Sequence, residues 1–512
     1  MKVLLMYADR DFDEKGRLGP HSEDLTNDLG LDTVWNAMAQ GDAFTRDVVQ
    51  HATLNIMNDP AKIAYRQDIL RDCLNNVSVI ETLYSIAVEA IEREKREYFG
   101  LFSHSPTTIL HRSLKVMQIF VELLKKLKKT ADDNSHLFAS SGFHRFFAMI
   151  AEDLSEEYFA DVEEQLQELQ FRHGIRLSAQ LGKGNKGARY VLHKSLGEHR
   201  TWFQRLTQKS EPGYTIVIAE RDDQGFRALA ELQDRGTNLV ANALAQAVDH
   251  VLSFFVRMRT ELAFYMGCIH LHNALMRKDE PICFPDALNE DSSLFACRDL
   301  YDVSLALHLP GPVTGNTINA DGKMLVFITG ANQGGKSTFL RSVGLAQLMM
   351  QCGMFVPAKA YRASVCRKMF THYGREEDAS MTHGKFDEEL HRMSQITDEL
   401  TPHSLMLFNE SFAATNEREG AEIARQILDA LVEKQVKVFF VTHSYTLTHG
   451  YYDQRRDTML FLCAERKQDG IRTFKLVEGE PLETSYGEDL YRQIFECTEL
   501  EWDAVKEMDN PR

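Results

Sequence analysis

MLVFITGANQGGKSTFLRSVGLAQLMMQCG, residues 324–353, decides the fold. An unbroken apolar run opens it, which predicts a strand buried on both faces of a parallel sheet. The stretch after Ser337 predicts a helix that Gly353 stops. Between them, Gly330-Ala-Asn-Gln-Gly-Gly335-Lys336-Ser337 fits the GxxxxGK[ST] spacing of a phosphate loop. Glycines let such a loop wrap closely around phosphates, and the backbone N–H groups at the helix start face the anion. The candidate nucleotide-binding residues are therefore Gly330, Asn332, Gly334, Gly335, Lys336, Ser337 and Thr338. Lys336 would reach the β- and γ-phosphates and the Ser337 hydroxyl would hold Mg²⁺.

Downstream, SLMLF (404–408) and VKVFFV (436–441) are further apolar strands, and their alternation with helical stretches predicts an α/β domain. The first ends in Asn409-Glu410. Water-activating and metal-linked groups of phosphate-loop enzymes sit at such a strand end, so Glu410 is the candidate general base. Asn409 occupies the usual place of a metal-linked aspartate. An amide can orient a metal-bound water but adds no negative charge. The second strand runs into His443, placed to sense the γ-phosphate, although a lone histidine is more often a satisfied core or surface residue.

Upstream, residues 31–58, 77–97, 107–130 and 143–171 carry helical periodicity. The last of these has an acidic face, from Glu152 to Glu168, that reads as solvated. The opening MKVLLMYADRDFDEK predicts a short buried strand rather than a secretory signal. IRLSAQL and ARYVLH, joined by GKGNKG, predict a β-hairpin, and YTIVIAE (214–220) a third strand. From about Gln224 to Lys278 one apolar stripe predicts a helix about 80 Å long, unless Gly236 or Gly267 breaks it. A helix out, a β tip and a long helix back describe a lever arm.

The chain has 512 residues, 44 % hydrophobic and 26 % charged, which excludes disordered, collagen-like and disulfide-scaffold classes. Its eight cysteines include no CxxC pair, which argues against zinc or redox chemistry. No uncharged apolar run reaches the length of a bilayer span, and a cytoplasmic location is expected. The net charge of −17 argues against general binding to polyanions. Residues 171–209, however, carry nine Lys or Arg against Glu198 alone, a +8 island on a remainder of −25. Tyr190, Trp202 and Phe203 are interleaved with it, a composition suited to a nucleic-acid backbone. Lys183, Lys186, Arg189 and Lys194 are the candidate DNA-binding residues. A weaker run, Lys125 to Lys129, also suits a helix C-terminus.

TGANQGGKSTFLRSVGLAQLMMQCGMFVPA (329–358) resembles the TGPNMGGKST-type loop and following helix of the MutS family of DNA mismatch-repair ATPases. FTHYG (370–374), the Phe386–Glu389 segment, Asn409 to Gly420, VTHS around His443 and SYGEDL around Tyr486 follow in that family's order. YRQDILRDCL (65–74) looks like the start of its helical core. The resemblance implies ATP and Mg²⁺ as ligands, and an ATPase coupled to DNA binding. It also implies a homodimer in which Thr415 and Asn416 of one subunit reach the γ-phosphate held by the other. Phe284-Pro285 lies near the family's nucleotide-contacting lead segment, without a residue-level match.

The implied architecture is multidomain: an all-α core with lever helices and a small β tip, then an α/β phosphate-loop ATPase of the ABC type. The expected segments are 1–141 (N-terminal strand and helical core), 142–223 (outgoing lever helix and basic hairpin), 224–285 (return lever) and 286–512 (ATPase). Nothing near the N-terminus resembles the mismatch-reading and connector domains. The leading expectation is a dimeric clamp on structured or branched DNA that does not read mismatches. The alternative is a nucleotide-gated scaffold with little hydrolysis, motivated by Asn409 and the altered signature Ala414-Thr415-Asn416-Glu417. A coiled-coil repair ATPase of the SMC type lacks support, since no LSGGQ-like signature occurs.

Overall fold

The computed structural model describes residues 1–19, 21–98, 105–172, 174–185, 187–193, 217–375, 384–467 and 472–482. The chain forms two compact units, Met1–Leu5 with Asn76–Leu262, and Met6–Asn75 with Ala263–Arg512. This division cuts across the four expected segments. Met6–Asn75 belongs with the α/β unit, not with the helices after it.

The opening residues form no strand. Leu4 adopts φ +53°, which breaks an extended run, and the Leu5 N–H is taken by the Glu261 carboxylate at 2.5 Å instead of a neighbouring strand. In the first unit, α5 (Val77–Tyr98) and α6 (Pro106–Asn134) pack together, α6 starting on a Ser105 cap. The expected helix over 143–171 is two, α7 (Ser141–Asp153) and α8 (Glu156–Leu169). Ser155 stops the first and caps the second by accepting from Tyr158 N at 3.1 Å. Lys125, Lys126 and Lys128 pair with Glu163, Glu89 and Asp132, so these three lysines of the weaker basic run are locally neutralised.

The hairpin is present, with β1 (Arg176–Leu181) antiparallel to β2 (Gly187–His193). Of the expected third strand, Val217–Ala219 has no regular structure, and Tyr214–Ile216 lie outside the described residues. There the chain turns, and Asp222 accepts from Gly225 N at 2.9 Å at the start of the long helix. That helix, α9 (Asp223–Met276), runs 54 residues unbroken and passes from the first unit into the second. Gly236 and Gly267 do not break it. Each marks a close approach, of Leu177 to Gly236 and of Val49 to Gly267. Among the described residues α9 alone has a window long and apolar enough to cross a bilayer by length and composition, a test that core helices also pass. Phe254, Phe255, Met258 and Leu262 of this helix are buried core.

In the second unit the expected helix over 31–58 is split into α2 (Leu31–Ala39) and α3 (Ala43–Leu54). Gln40 and Gly41 take positive φ between them, and Asp42 caps α3. These helices join α1 (Ser22–Leu29) and α4 (Pro60–Asn75). The large sheet has the order β12-β11-β6-β10-β9-β8. Its parallel strands are β6 (Leu325–Gly330), β8 (Met369–Tyr373), β9 (Leu405–Asn409), β10 (Lys437–Val441) and β11 (Met459–Arg466), with β12 (Arg472–Glu478) antiparallel at the edge. A smaller mixed sheet combines β3 (Asp286–Leu288), β7 (Ala360–Ser364), β4 (Phe295–Leu300) and β5 (Asn316–Asn319). α10 (Val303–His308), α11 (Lys336–Gln351), α12 (Lys385–Glu399), α13 (Glu417–Glu433) and α14 (Tyr445–Tyr452) complete the unit. α1 packs on β8 and α11, and Leu29 sits where a side chain on Gly344 would otherwise go. This packing draws Met6–Asn75 into the α/β body.

Candidate nucleotide site

Every core position of β6 is buried, as its apolar run requires, and the chain leaves the strand at Gly330 with φ +104°. A Cβ at Gly330 would lie 2.8 Å from the Ala464 backbone nitrogen, and one at Gly334 would lie 2.7 Å from the Ala464 Cβ. The loop is therefore pressed against β11 and only glycine fits at these two positions. α11 begins at Lys336 after Gly335, whose φ is +87°.

Lys336 is buried, and its Nζ donates to the carbonyl oxygens of Gly330 at 3.0 Å and Ala331 at 2.8 Å. Burial lowers its pKa to about 8, with Glu410 opposing that shift and the Arg472 charge adding to it. Asn332 is half-buried in the loop, Gln333 is exposed at its apex, and Thr338 lies in the first turn of α11.

β6, β10 and β9 are neighbours in the sheet, and their register places Ile328, Val441 and Asn409 side by side. Parallel pairing thus delivers the phosphate loop, His443 and Asn409-Glu410 to one edge. The Ser337 Oγ donates to the Asn409 Oδ1 at 2.8 Å. Glu410 Oε1 and His443 Nε2 are 3.2 Å apart. The histidine hydrogen bond holds the Glu410 carboxyl below its ordinary pKa against the opposing effect of burial, with Lys336 assisting. A carboxylate kept ionised beside a phosphate loop can accept a proton from water. The pair Ser337 Oγ and Asn409 Oδ1 offers neutral oxygen donors of the kind Mg²⁺ accepts when phosphates and waters complete its shell. Among the described residues no group of three or more His, Cys, Asp or Glu could hold a metal by itself.

Thr415 and Asn416, expected to act in trans, are turned onto their own helix. Asn416 caps α13 by accepting from Glu419 N at 2.9 Å, and the Glu419 carboxylate takes Thr415 Oγ1 at 3.0 Å and Asn416 Nδ2 at 2.9 Å. In the hairpin, Lys183 and Arg189 are exposed, whereas Lys186 and Lys194 lie outside the described residues. SYGEDL around Tyr486 also lies outside them.

Three features escaped the sequence reading. A cleft of 410 Å³ adjoins the loop, lined by Leu309, Val313, Thr314, Asn316, Gln333 and Phe474 among others. Phe474 is 48 % exposed and adopts φ +58°, and its Cβ would face a Cβ on Gly335 at 3.5 Å. Phe284, singled out in the sequence, does not line this cleft; it lies under Arg71 at 4.3 Å and against Phe355 at 6.5 Å. Second, Arg472 of β12 donates from Nη1 to Gln333 Oε1 at 3.1 Å. Third, His372 lies fully buried behind Glu410, within 2.7 Å of Ser411 Oγ through Nδ1 and 3.0 Å of the Glu389 carbonyl through Nε2. Glu389 Oε2 accepts from Phe412 N at 2.9 Å. Glu410 and Phe412 both have positive φ, so this network clamps a strained turn. Isolated aromatic and basic residues on an edge strand carry no spacing signal, and FTHYG was legible only as a motif, not as a clamp.

Fold and site together define a phosphate-loop α/β domain joined to a helical unit that carries a β-hairpin. Two family descriptions match, the MutS2 N-terminal domain over residues 58–278 and MutS domain V over residues 326–500. The chain belongs to the MutS family. Its relatives include the DNA mismatch repair protein MutS of Thermotoga maritima, 36 % identical over 167 residues, 32 % of this chain and 21 % of the relative. The MutS of Leptospira interrogans is 31 % identical over 210 residues, 39 % of this chain and 24 % of the relative. The probable DNA mismatch repair protein Msh6 of Drosophila melanogaster is 30 % identical over 181 residues, 35 % and 15 % respectively. The matched region thus spans a quarter or less of these relatives' length.

Proposed function

We propose that the chain is an ATPase of the MutS type that couples nucleotide binding and hydrolysis to DNA binding as a homodimer. The observation that carries this reading is the convergence of Lys336, Ser337–Asn409 and Glu410–His443 on one edge of three adjacent parallel strands. In this reading the loop N–H groups and Lys336 hold the phosphates, and Lys336 exchanges its two loop carbonyls for phosphate oxygens. Mg²⁺, held by Ser337 and Asn409, would neutralise phosphate charge. Glu410 accepts the proton of the attacking water, and His443 fixes the carboxylate and meets the γ-phosphate. The cleft beside the loop takes the base, with Phe474 stacking on it. Thr415 and Asn416 would act in a second copy, which requires them to leave Glu419.

The DNA partner is inferred from the exposed cations of the hairpin on an otherwise acidic chain. Such cations contact phosphates and track DNA shape more than base identity, which suits structured or branched DNA without mismatch reading. Replacing Lys183, Lys186 and Arg189 together by glutamate should abolish salt-sensitive binding, and unchanged binding would remove the hairpin from the interface.

A second reading is favoured by one observation: Asn409 brings no charge to the metal position. It describes a nucleotide-gated scaffold that binds ATP and barely hydrolyses it. Steady-state phosphate release decides between them. A drop of about 100-fold or more in Glu410→Gln supports the ATPase; equal, near-background rates in both proteins support the scaffold.

A further inference from the structure

Arg472 is not part of the phosphate-loop motif and the steps above do not use it. It stands on the edge strand β12, whose partner β11 carries the Ala464 that seats Gly330 and Gly334. The β11–β12 ladder pairs Arg472 with Arg466, so the strand holds its backbone in register beside the loop. Nη1 of Arg472 donates to Gln333 at the loop apex. Nε and Nη2 are buried and have no hydrogen-bond partner among the described residues. A guanidinium cannot shed its charge, and buried donors without acceptors are rare in folded proteins. The side chain is close enough for its charge to act on Lys336. Two cations therefore converge on one loop, one tied to loop carbonyls and the other with two buried donor nitrogens unpaired among the described residues. That arrangement is incomplete without an anion, and a planar fork of two donors matches two oxygens of one phosphate.

We propose that Arg472 is a binding residue for the phosphate chain of the nucleotide, contributed by β12 in the same subunit. The inference rests on the reading of Gly330–Ser337 as a nucleotide site. Nε and Nη2 are covered by protein without the ligand, so binding would uncover them to phosphate oxygens while Gln333 keeps Nη1. The ligand class is a nucleoside di- or triphosphate; a nucleoside without phosphates gains nothing from Arg472.

The test is equilibrium binding of ATP, ADP and adenosine to the full chain and to Arg472→Gln, Arg472→Lys, Gln333→Ala and Lys336→Ala. Arg472→Gln should weaken ATP and ADP roughly tenfold and leave adenosine unchanged, as expected for one charge-assisted contact. Arg472→Lys should recover part of the loss, and Gln333→Ala should show none of it. Because Arg472→Lys keeps the charge and most of the volume, it serves as the folded control. If Arg472→Gln binds ATP as the unaltered chain does while Lys336→Ala does not, the Arg472 assignment fails and the nucleotide site stands. An equal loss in Gln333→Ala would mean that Arg472 only braces the loop, which also overturns the proposal. No ATP binding by the unaltered chain would remove the site itself and Arg472 with it.

Discussion

The hydroxyl of Ser337 donates to the side-chain oxygen of Asn409 at 2.8 Å, joining the first turn after the phosphate loop to the end of β9. Two neutral groups meet where the proposed function places Mg²⁺. The bond pre-positions both oxygens, but neither supplies the negative charge that strengthens cation binding.

Asn409→Asp should therefore raise affinity for Mg²⁺ in the presence of ATP. One added charge in a partly buried site is worth about 1–2 kcal/mol, or roughly tenfold in the Mg²⁺ concentration giving half-maximal phosphate release. A magnesium titration of the two proteins checks this, and an unchanged midpoint would show that Asn409 does not face the metal.

Gly334→Ala should disable the loop. The new methyl would meet the Ala464 Cβ at 2.7 Å and the Ala331 carbonyl oxygen at 2.9 Å, and both belong to packed backbone elements. Overpacking of this kind costs about 1–3 kcal/mol of stability. The expected result is a lower unfolding midpoint with loss of ATP binding, and Ala464→Gly in the same chain should restore part of the stability.

Phe474→Ala should weaken ATP binding by roughly tenfold or more if the ring stacks on the base, because aromatic–base stacking is worth about 1–3 kcal/mol. Inorganic tripolyphosphate, which has no base, should bind both proteins alike. Equal loss for tripolyphosphate would place Phe474 in loop support instead.

His372 makes acid stability a readout of the clamp behind Glu410. Burial lowers its pKa from 6.5 to about 4, with Arg392 contributing, so the folded protein holds it neutral where the unfolded chain is protonated. Its stabilising effect is complete above pH 6.5 and is lost as pH falls from 6.5 toward 4. The loss is about 1.4 kcal/mol per pH unit, or about 3 kcal/mol in all. Denaturant unfolding of the unaltered chain and His372→Gln at pH 7, 6 and 5 should show a smaller acid dependence in the variant. Parallel pH profiles would exclude His372 as the titrating group.

Much of the α/β unit was legible in advance. The strands MLVFIT, SLMLF and VKVFFV are unbroken apolar runs, and GxxxxGKS has a local spacing that survives without tertiary information. Local signals also misled. The opening MKVLLMYADRDFDEK reads as a short buried strand, yet Leu5 gives its N–H to Glu261, more than 250 positions away. Residues 143–171 read as one helix, yet the Ser155 cap divides them, because a side-chain acceptor at a helix start competes with continuation of the ladder.

The sequence by itself determined the phosphate loop, the order of strands and helices that carries it, the basic hairpin and membership in the MutS family. These depend on residue type and short spacing. Tertiary structure alone decided that Met6–Asn75 packs into the α/β unit, that Glu410 pairs with His443, and that Phe474 and Arg472 stand beside the loop. Those contacts join residues far apart in the chain. They follow from sheet register and from which faces find burial partners, neither of which a local pattern encodes.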